Sequence, residues 1–162
     1  MTILSTELLA FSIISFSILI SLVSFSKQFK IFGNALKNLN IKFAWIVNSE
    51  DGLDEISPYA KTNVVQLKNG KLTNIKINPK ELKINAENFD NLLGRDSNFN
   101  ANKMIDIFKG TDNDFSKAVC LNAAAGLIVS EKYSDFILAY NYTRDFIKSG
   151  ETLKFIQKLQ NV

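Results

Sequence analysis

Histidine is absent from this 162-residue chain, and cysteine occurs once, at Cys120. The first absence removes the commonest general base and a frequent metal ligand, and with them every Ser-His or Cys-His nucleophile scheme. The second excludes a disulfide within the chain, which fits a reducing compartment. Arginine occurs twice, at Arg95 and Arg144, and proline twice. No segment concentrates basic charge. The net charge is +3, the lysines are scattered, and a nucleic-acid surface would need a basic stripe, so no nucleic-acid partner is expected. Catalysis, if any, must rest on carboxylates, lysine, arginine, hydroxyls or backbone dipoles. What is present is ordinary globular composition, 46% hydrophobic and 22% charged, and length enough for one domain with a real core.

The chain changes character near Lys27. Leu8 to Ser26 carries no charge and is rich in Leu, Ile, Phe, Val and Ser. Residues 1–26 therefore read as an apolar segment of uncertain origin, separate from 27–162. Three readings compete. A membrane anchor through 8–26 fits the length, with Lys27, Lys30 and Lys37 marking a cytoplasmic C-terminal side; six serines from Ser12 to Ser26 dilute it. A signal peptide is opposed by Glu7 and by the lack of Lys or Arg ahead of the apolar run. The third is a segment read out of its proper context.

Beyond it, Phe29, Phe32, Leu36 and Leu39 recur at helical spacing, and Asn38 to Asn40 end the helix. Phe43-Ala44-Trp45-Ile46-Val47 predicts a short strand buried on both faces. Val64–Leu67 and Leu72–Ile77 flank Asn69-Gly70, whose residues readily take the positive φ angles of a tight hairpin. The remainder predicts helices. One turn is expected over Phe89–Leu93, then a helix over Phe99–Phe108 stopped by Gly110. Asp114 is expected to cap Phe115–Ser130, whose Ala118–Val129 stretch is apolar nearly all round and is therefore expected to be buried. An amphipathic helix from Phe136 stops near Ser149-Gly150, and Leu153, Ile156 and Leu159 give a last one. A helix feeding a strand is half of an α/β unit.

Directly after that strand comes Glu50-Asp51-Gly52-Leu53-Asp54-Glu55-Ile56-Ser57-Pro58. Adjacent carboxylates in a glycine-containing loop suit magnesium, a hard ion that takes a few protein oxygens and keeps water or phosphate oxygens. An isolated Asp-Glu pair is more often a solvated acidic turn. Cys120 reads as a small core residue, Trp45 as core, and Asn122 as a buried amide satisfying a loop or backbone. Lys68, Lys71, Lys76, Lys80 and Lys83 read as a solvated face, and Arg95 and Arg144 as surface ion pairs.

The wider string resembles anthranilate phosphoribosyltransferase, a glycosyltransferase family whose pattern is a strand followed by G-x-D-G-x-D-E. Ser49 stands where that pattern usually has glycine, and Asn48 where histidine is common. The resemblance continues through Thr62 and the hairpin, Asn88 to Gly94, Asn100-Ala101, Leu121-Asn122-Ala123-Ala124-Ala125 and Ser149-Gly150, covering about Lys27 to Leu159. It implies the C-terminal portion of an α/β, phosphoribosyltransferase/nucleoside phosphorylase-like domain, with a β-hairpin and a helical C-terminal half. It implies transfer of phosphoribosyl from phosphoribosyl pyrophosphate to anthranilate in cytoplasmic tryptophan biosynthesis, with Mg2+ as cofactor. Asp54 and Glu55 are then the metal residues, with Asp51 shaping the loop. No catalytic or substrate-binding residue is assigned by the match.

The family's Gly-Thr-Gly-Gly-Asp loop, Lys-His-Gly-Asn segment and anthranilate-recognising arginine do not occur here, nor does its N-terminal helical domain. The expectation is therefore an enzyme-family fragment inactive alone, its exposed apolar surface favouring oligomers; a family-like homodimer stays open. The alternatives are a non-catalytic module that binds a membrane or partner, and one half of a split enzyme.

Overall fold

The computed structural model describes residues 25–160, in the order α1 (Phe25–Asn38), β1 (Phe43–Ser49), β2 (Thr62–Lys68), β3 (Lys71–Ile77), α2 (Ser97–Phe108), α3 (Asp114–Val129), α4 (Phe136–Lys148) and α5 (Glu151–Gln160). The apolar stretch of 8–26, with its anchor, leader and out-of-context readings, lies almost wholly outside the described residues, which overlap it only at the first residues of α1. Among the described residues, no helix is long and apolar enough to cross a membrane.

The three strands form an antiparallel sheet in the order β1-β2-β3. Asn69 (φ 48°) and Gly70 (φ 77°) both adopt left-handed backbone, and this two-residue turn sets the register Lys68↔Lys71 through Thr62↔Ile77. Positive φ at both central positions is the turn whose twist matches the flanking strands. The Asn-Gly signal was thus sufficient to place the hairpin.

Alternation divides the sheet into two covered faces. Ala44, Ile46, Val65, Leu67 and Leu72 share one face by register, and α1 lies on it. The approach is close at Gly33, where a Cβ would come within 2.7 Å of a Leu72 methyl, so a larger residue would require that side chain to move aside. Phe43, Trp45, Val47, Val64 and Ile77 point the other way and join a core with Cys120, Leu121, Ala124, Ile128, Tyr140 and Ile147 of α3 and α4. The nearly all-apolar α3 buries Cys120, Leu121, Ala124, Ala125, Gly126 and Ile128, while the rest of Ala118–Val129 is half-buried, so the expected burial holds for only part of the stretch.

One expectation about β1 needs correction. Its first six residues are only half-buried and Ser49 alone is buried, so although both faces are contacted, neither closes fully over the strand. Among the described residues it pairs with β2 alone and occupies an edge of the sheet. An apolar run reports how much side chain a strand hides, not how many strands flank it.

The helix boundaries follow the local chemistry. Asp96 caps α2 by accepting from the Phe99 amide, and Gly110 (φ 97°) takes the left-handed stop after it. The expected cap of α3 moves by one residue. Asn113 is the N-cap, in a reciprocal capping box with Ser116, and Asp114 is released for another role.

Candidate functional site

The acidic loop leaves β1 at Ser49 and re-enters the sheet at Thr62. Its neck is closed by backbone bonds from Ser49 N to Leu53 O (2.9 Å) and from Glu50 N to Lys61 O (2.8 Å). Gly52 (φ 93°) makes the turn that only glycine adopts without strain. Asp51 is spent inside the loop. Its Oδ2 accepts from Ser57 Oγ at 2.5 Å and its Oδ1 from the Leu53 amide at 3.3 Å. Ser57, wholly buried, accepts in turn from the Tyr59 and Ala60 amides. Glu50 turns aside to Lys76, at 2.6 Å; both side chains are exposed, so this pair contributes little.

Asp54 and Glu55 are left at the outer surface of the loop. Partial burial of the Glu55 carboxyl, and then the neighbouring Asp54 charge, push Glu55 above its ordinary value. Among the described residues no group of three or more His, Cys, Asp or Glu could hold a metal. Asp54 and Glu55 are adjacent carboxylates at the surface of the loop, the hard-oxygen donor type that magnesium takes.

Two side chains far along the sequence hold the loop's C-terminal arm. Asn122, in the middle of α3, accepts from the Ile56 amide (2.9 Å) and donates to the Ile56 carbonyl (3.0 Å) and the Ala118 carbonyl (2.9 Å). This is the loop-satisfying amide that the sequence pattern suggested. Tyr59 reaches Asp114, its hydroxyl 2.6 Å from Oδ2 and also against the Asn88 carbonyl. Its single proton goes to the carboxylate, the stronger acceptor.

This role of Asp114 was not anticipated. Buried at the first position of α3, it also accepts from the Glu87 and Asn88 amides, from Asn91 Nδ2 and, on Oδ1, from Lys117 at 2.9 Å. Burial alone would raise this carboxyl, but the hydrogen bonds from Tyr59, Asn91, Lys117 and Glu87 together hold it well below the usual carboxylate range. The only sequence signal was an acid in the first turn of a buried helix. Its donors come from two other segments.

The remaining candidates fall where expected or nearby. Burial pushes the Cys120 thiol up to about 11, which keeps it protonated and inert at neutral pH. Trp45 packs on Phe136 and donates to Gln66 Oε1, and the five hairpin lysines are exposed. Arg144 contacts its neighbour Asp145, whereas Arg95 stacks on the Phe99 ring at 4.7 Å in place of the expected ion pair. A cavity of about 850 Å³ lies beside Arg95, but Asp90 and Asp114 line it along with Arg95 and Lys103, so it carries no clear excess of either charge.

A profile of the glycosyl transferase family, a/b domain, matches residues 17–153. The chain belongs to this family. The match begins inside the apolar stretch, earlier than the boundary expected at Lys27. Over 136 residues the chain is 70% identical to the curated anthranilate phosphoribosyltransferase of Pelagibacter ubique (strain HTCC1062), covering 84% of this chain and 41% of that one. It is 36% identical to the Azospirillum brasilense enzyme of the same name, covering 80% and 36%. Among solved structures, anthranilate phosphoribosyltransferase from Thermus thermophilus superposes with a TM-score of 0.72 at 23% identity, over 82% of this chain and 39% of that one. The Saccharomyces cerevisiae enzyme in complex with PRPP and Mg gives 0.70 at 19% identity, over 83% and 40%. These superpositions show the fold: a partial α/β domain of this family. The chain spans about two fifths of the length of the relatives it matches.

Proposed function

We propose that this chain is the part of an anthranilate phosphoribosyltransferase that carries the acidic half of its magnesium site. The observation that carries the reading is the loop itself. In a chain 70% identical to a curated enzyme of that name, Asp54 and Glu55 stand exposed on a loop that also carries Glu50, paired with Lys76, and Asp51, committed to internal bonds. The activity is transfer of the phosphoribosyl group to the anthranilate amine with release of pyrophosphate, a step of cytoplasmic tryptophan biosynthesis. Bound magnesium would offset charge on the departing pyrophosphate. Asp54 and Glu55 would hold the ion, and Asp51, Ser57 and Gly52 keep the loop in the shape that presents them.

The 162 residues by themselves do not turn over, because the glycine loop that would cradle pyrophosphate and the arginine that would meet anthranilate's carboxylate are not among them. A second reading, one half of a split enzyme, is favoured by Ile31, Phe32, Leu39 and Ile41, large apolar side chains exposed on and just after α1.

Two measurements on the purified chain test this. No phosphoribosyl anthranilate should form from phosphoribosyl pyrophosphate, anthranilate and Mg2+; turnover by the chain alone refutes the inactivity. Mn2+, followed by electron paramagnetic resonance, should bind saturably to the wild type. Asp54→Asn combined with Glu55→Gln should abolish that binding, and undiminished binding would remove these residues from the metal.

A further inference from the structure

We propose that Asn122 is a positioning residue for the candidate metal loop, fixing the backbone directly after Glu55 from the interior of α3. The proposal rests on the magnesium reading of Asp54 and Glu55 and adds what holds them in place.

The geometry is specific. One carboxamide satisfies both polar groups of a single residue, accepting from Ile56 N and donating to Ile56 O. It pairs with that residue much as a neighbouring strand would. The second amide proton goes back to Ala118 O, four residues earlier on the same helix, which fixes the side chain's rotation. Ile56 itself is only 1% exposed. Water has little access to replace these bonds, so losing the amide leaves a buried N–H and a buried C=O unpaired. Ile56 is covalently the next residue after Glu55, so the Ile56 amide nitrogen belongs to the Glu55–Ile56 peptide. Holding that plane limits where the Glu55 carboxylate can travel. The anchor is also rigid, since Leu121, Ala124 and Ala125 around it are buried in the core. Partners that orient a metal ligand typically change metal affinity 10- to 100-fold when removed.

The test compares Asn122→Leu, which keeps the branched shape at Cγ and adds no charge, with Thr143→Val. Thr143 is buried on α4 and bonds the Cys120 and Tyr140 carbonyls, so its loss weakens the same helix pair without touching the loop. In the full chain, Asn122→Leu should weaken Mn2+ binding roughly ten-fold and speed hydrogen exchange at the Ile56 amide. Thr143→Val should lower the melting temperature and leave Mn2+ affinity and Ile56 exchange unchanged. If Asn122→Leu does not fold, Asn122→Ala, which leaves room for water, takes its place in the same comparison. Equal effects of the two substitutions on Mn2+ affinity, or unchanged Ile56 exchange in the Asn122 variant, overturn the proposal. Absence of saturable Mn2+ binding in the wild type overturns the metal role of Asp54 and Glu55, and the positioning role with it. Ile56 exchange would still show separately whether Asn122 clasps the loop.

Discussion

Asp114 and the Asp54-Glu55 pair sit at opposite ends of the arm that runs from the acidic loop to Tyr59, and the fold treats them in opposite ways. Asp114 is buried and receives bonds from Tyr59, Glu87, Asn88, Asn91 and Lys117, which hold it ionised. Glu55 keeps solvent contact beside a second carboxylate and is pushed toward its protonated form. The difference separates two uses of the same functional group. A carboxylate surrounded by protein donors has no remaining demand for a ligand. One raised by burial and a like charge is biased against its ionised form, and a nearby positive charge would favour that form again.

The comparison can be broken at its strongest point first. Asp114→Asn replaces a buried acceptor of several N–H and O–H donors with a group that is half donor, and should cost about 3 kcal/mol, read by urea denaturation at neutral pH. The same carboxyl sets an acid limb. Its folded value lies below the ordinary 3.8, so its stabilisation is present above that pH and is lost as the pH falls below it. Asp114→Asn should lack this limb; an unchanged acid profile would show that the hub does not hold the charge.

Tyr59→Phe should cost about 1–2 kcal/mol, one hydrogen bond to a charged acceptor. Burial, and then the bond to Asp114, raise the Tyr59 hydroxyl above its ordinary value of 10.0. Its contribution is therefore present below pH 10 and lost as the pH rises further. The variant should flatten the alkaline side of the stability profile, so a single bond is read from both ends of the pH scale.

The smallest effect belongs to the other pole. Glu55→Gln removes a charge that the fold holds at some cost. It should raise stability at pH 7 by no more than about 0.5 kcal/mol because solvent screens the pair. The gain should fade as the pH falls toward 4.5 and be absent below it, because the folded carboxyl, held above that value, protonates first. With Mn2+ present the sign should reverse. A destabilisation without metal would place Glu55 in the same structural class as Asp114.

The sequence was most legible where the determinants are local. Asn69-Gly70 specified a hairpin because both residues tolerate left-handed backbone, and the apolar α3 declared part of its own burial. The loop could be recognised from nine consecutive residues. Its supports could not. Tyr59 and Asp114 are 55 positions apart, Ile56 and Asn122 66, and no periodicity links them. Asp114 was mistaken for a cap because an acid at a helix start has two uses, and which one applies depends on segments that arrive only after folding. The burial of β1 was overestimated because its sequence contains no information about its neighbours.

That strand has a further consequence. From Phe43 to Ser49 it carries no charged residue and no proline, and among the described residues one of its sides has no strand beside it. Such an edge can template another β-segment in register, and the usual deterrents, an inward lysine or a bulge, are missing from it. The colloidal behaviour of the chain should therefore depend on concentration more than its modest net charge suggests. A single lysine at Trp45 or Val47 would be a poor remedy, since both side chains pack into the core. Shielding has to come from the backbone side, by something that occupies the hydrogen-bonding groups themselves.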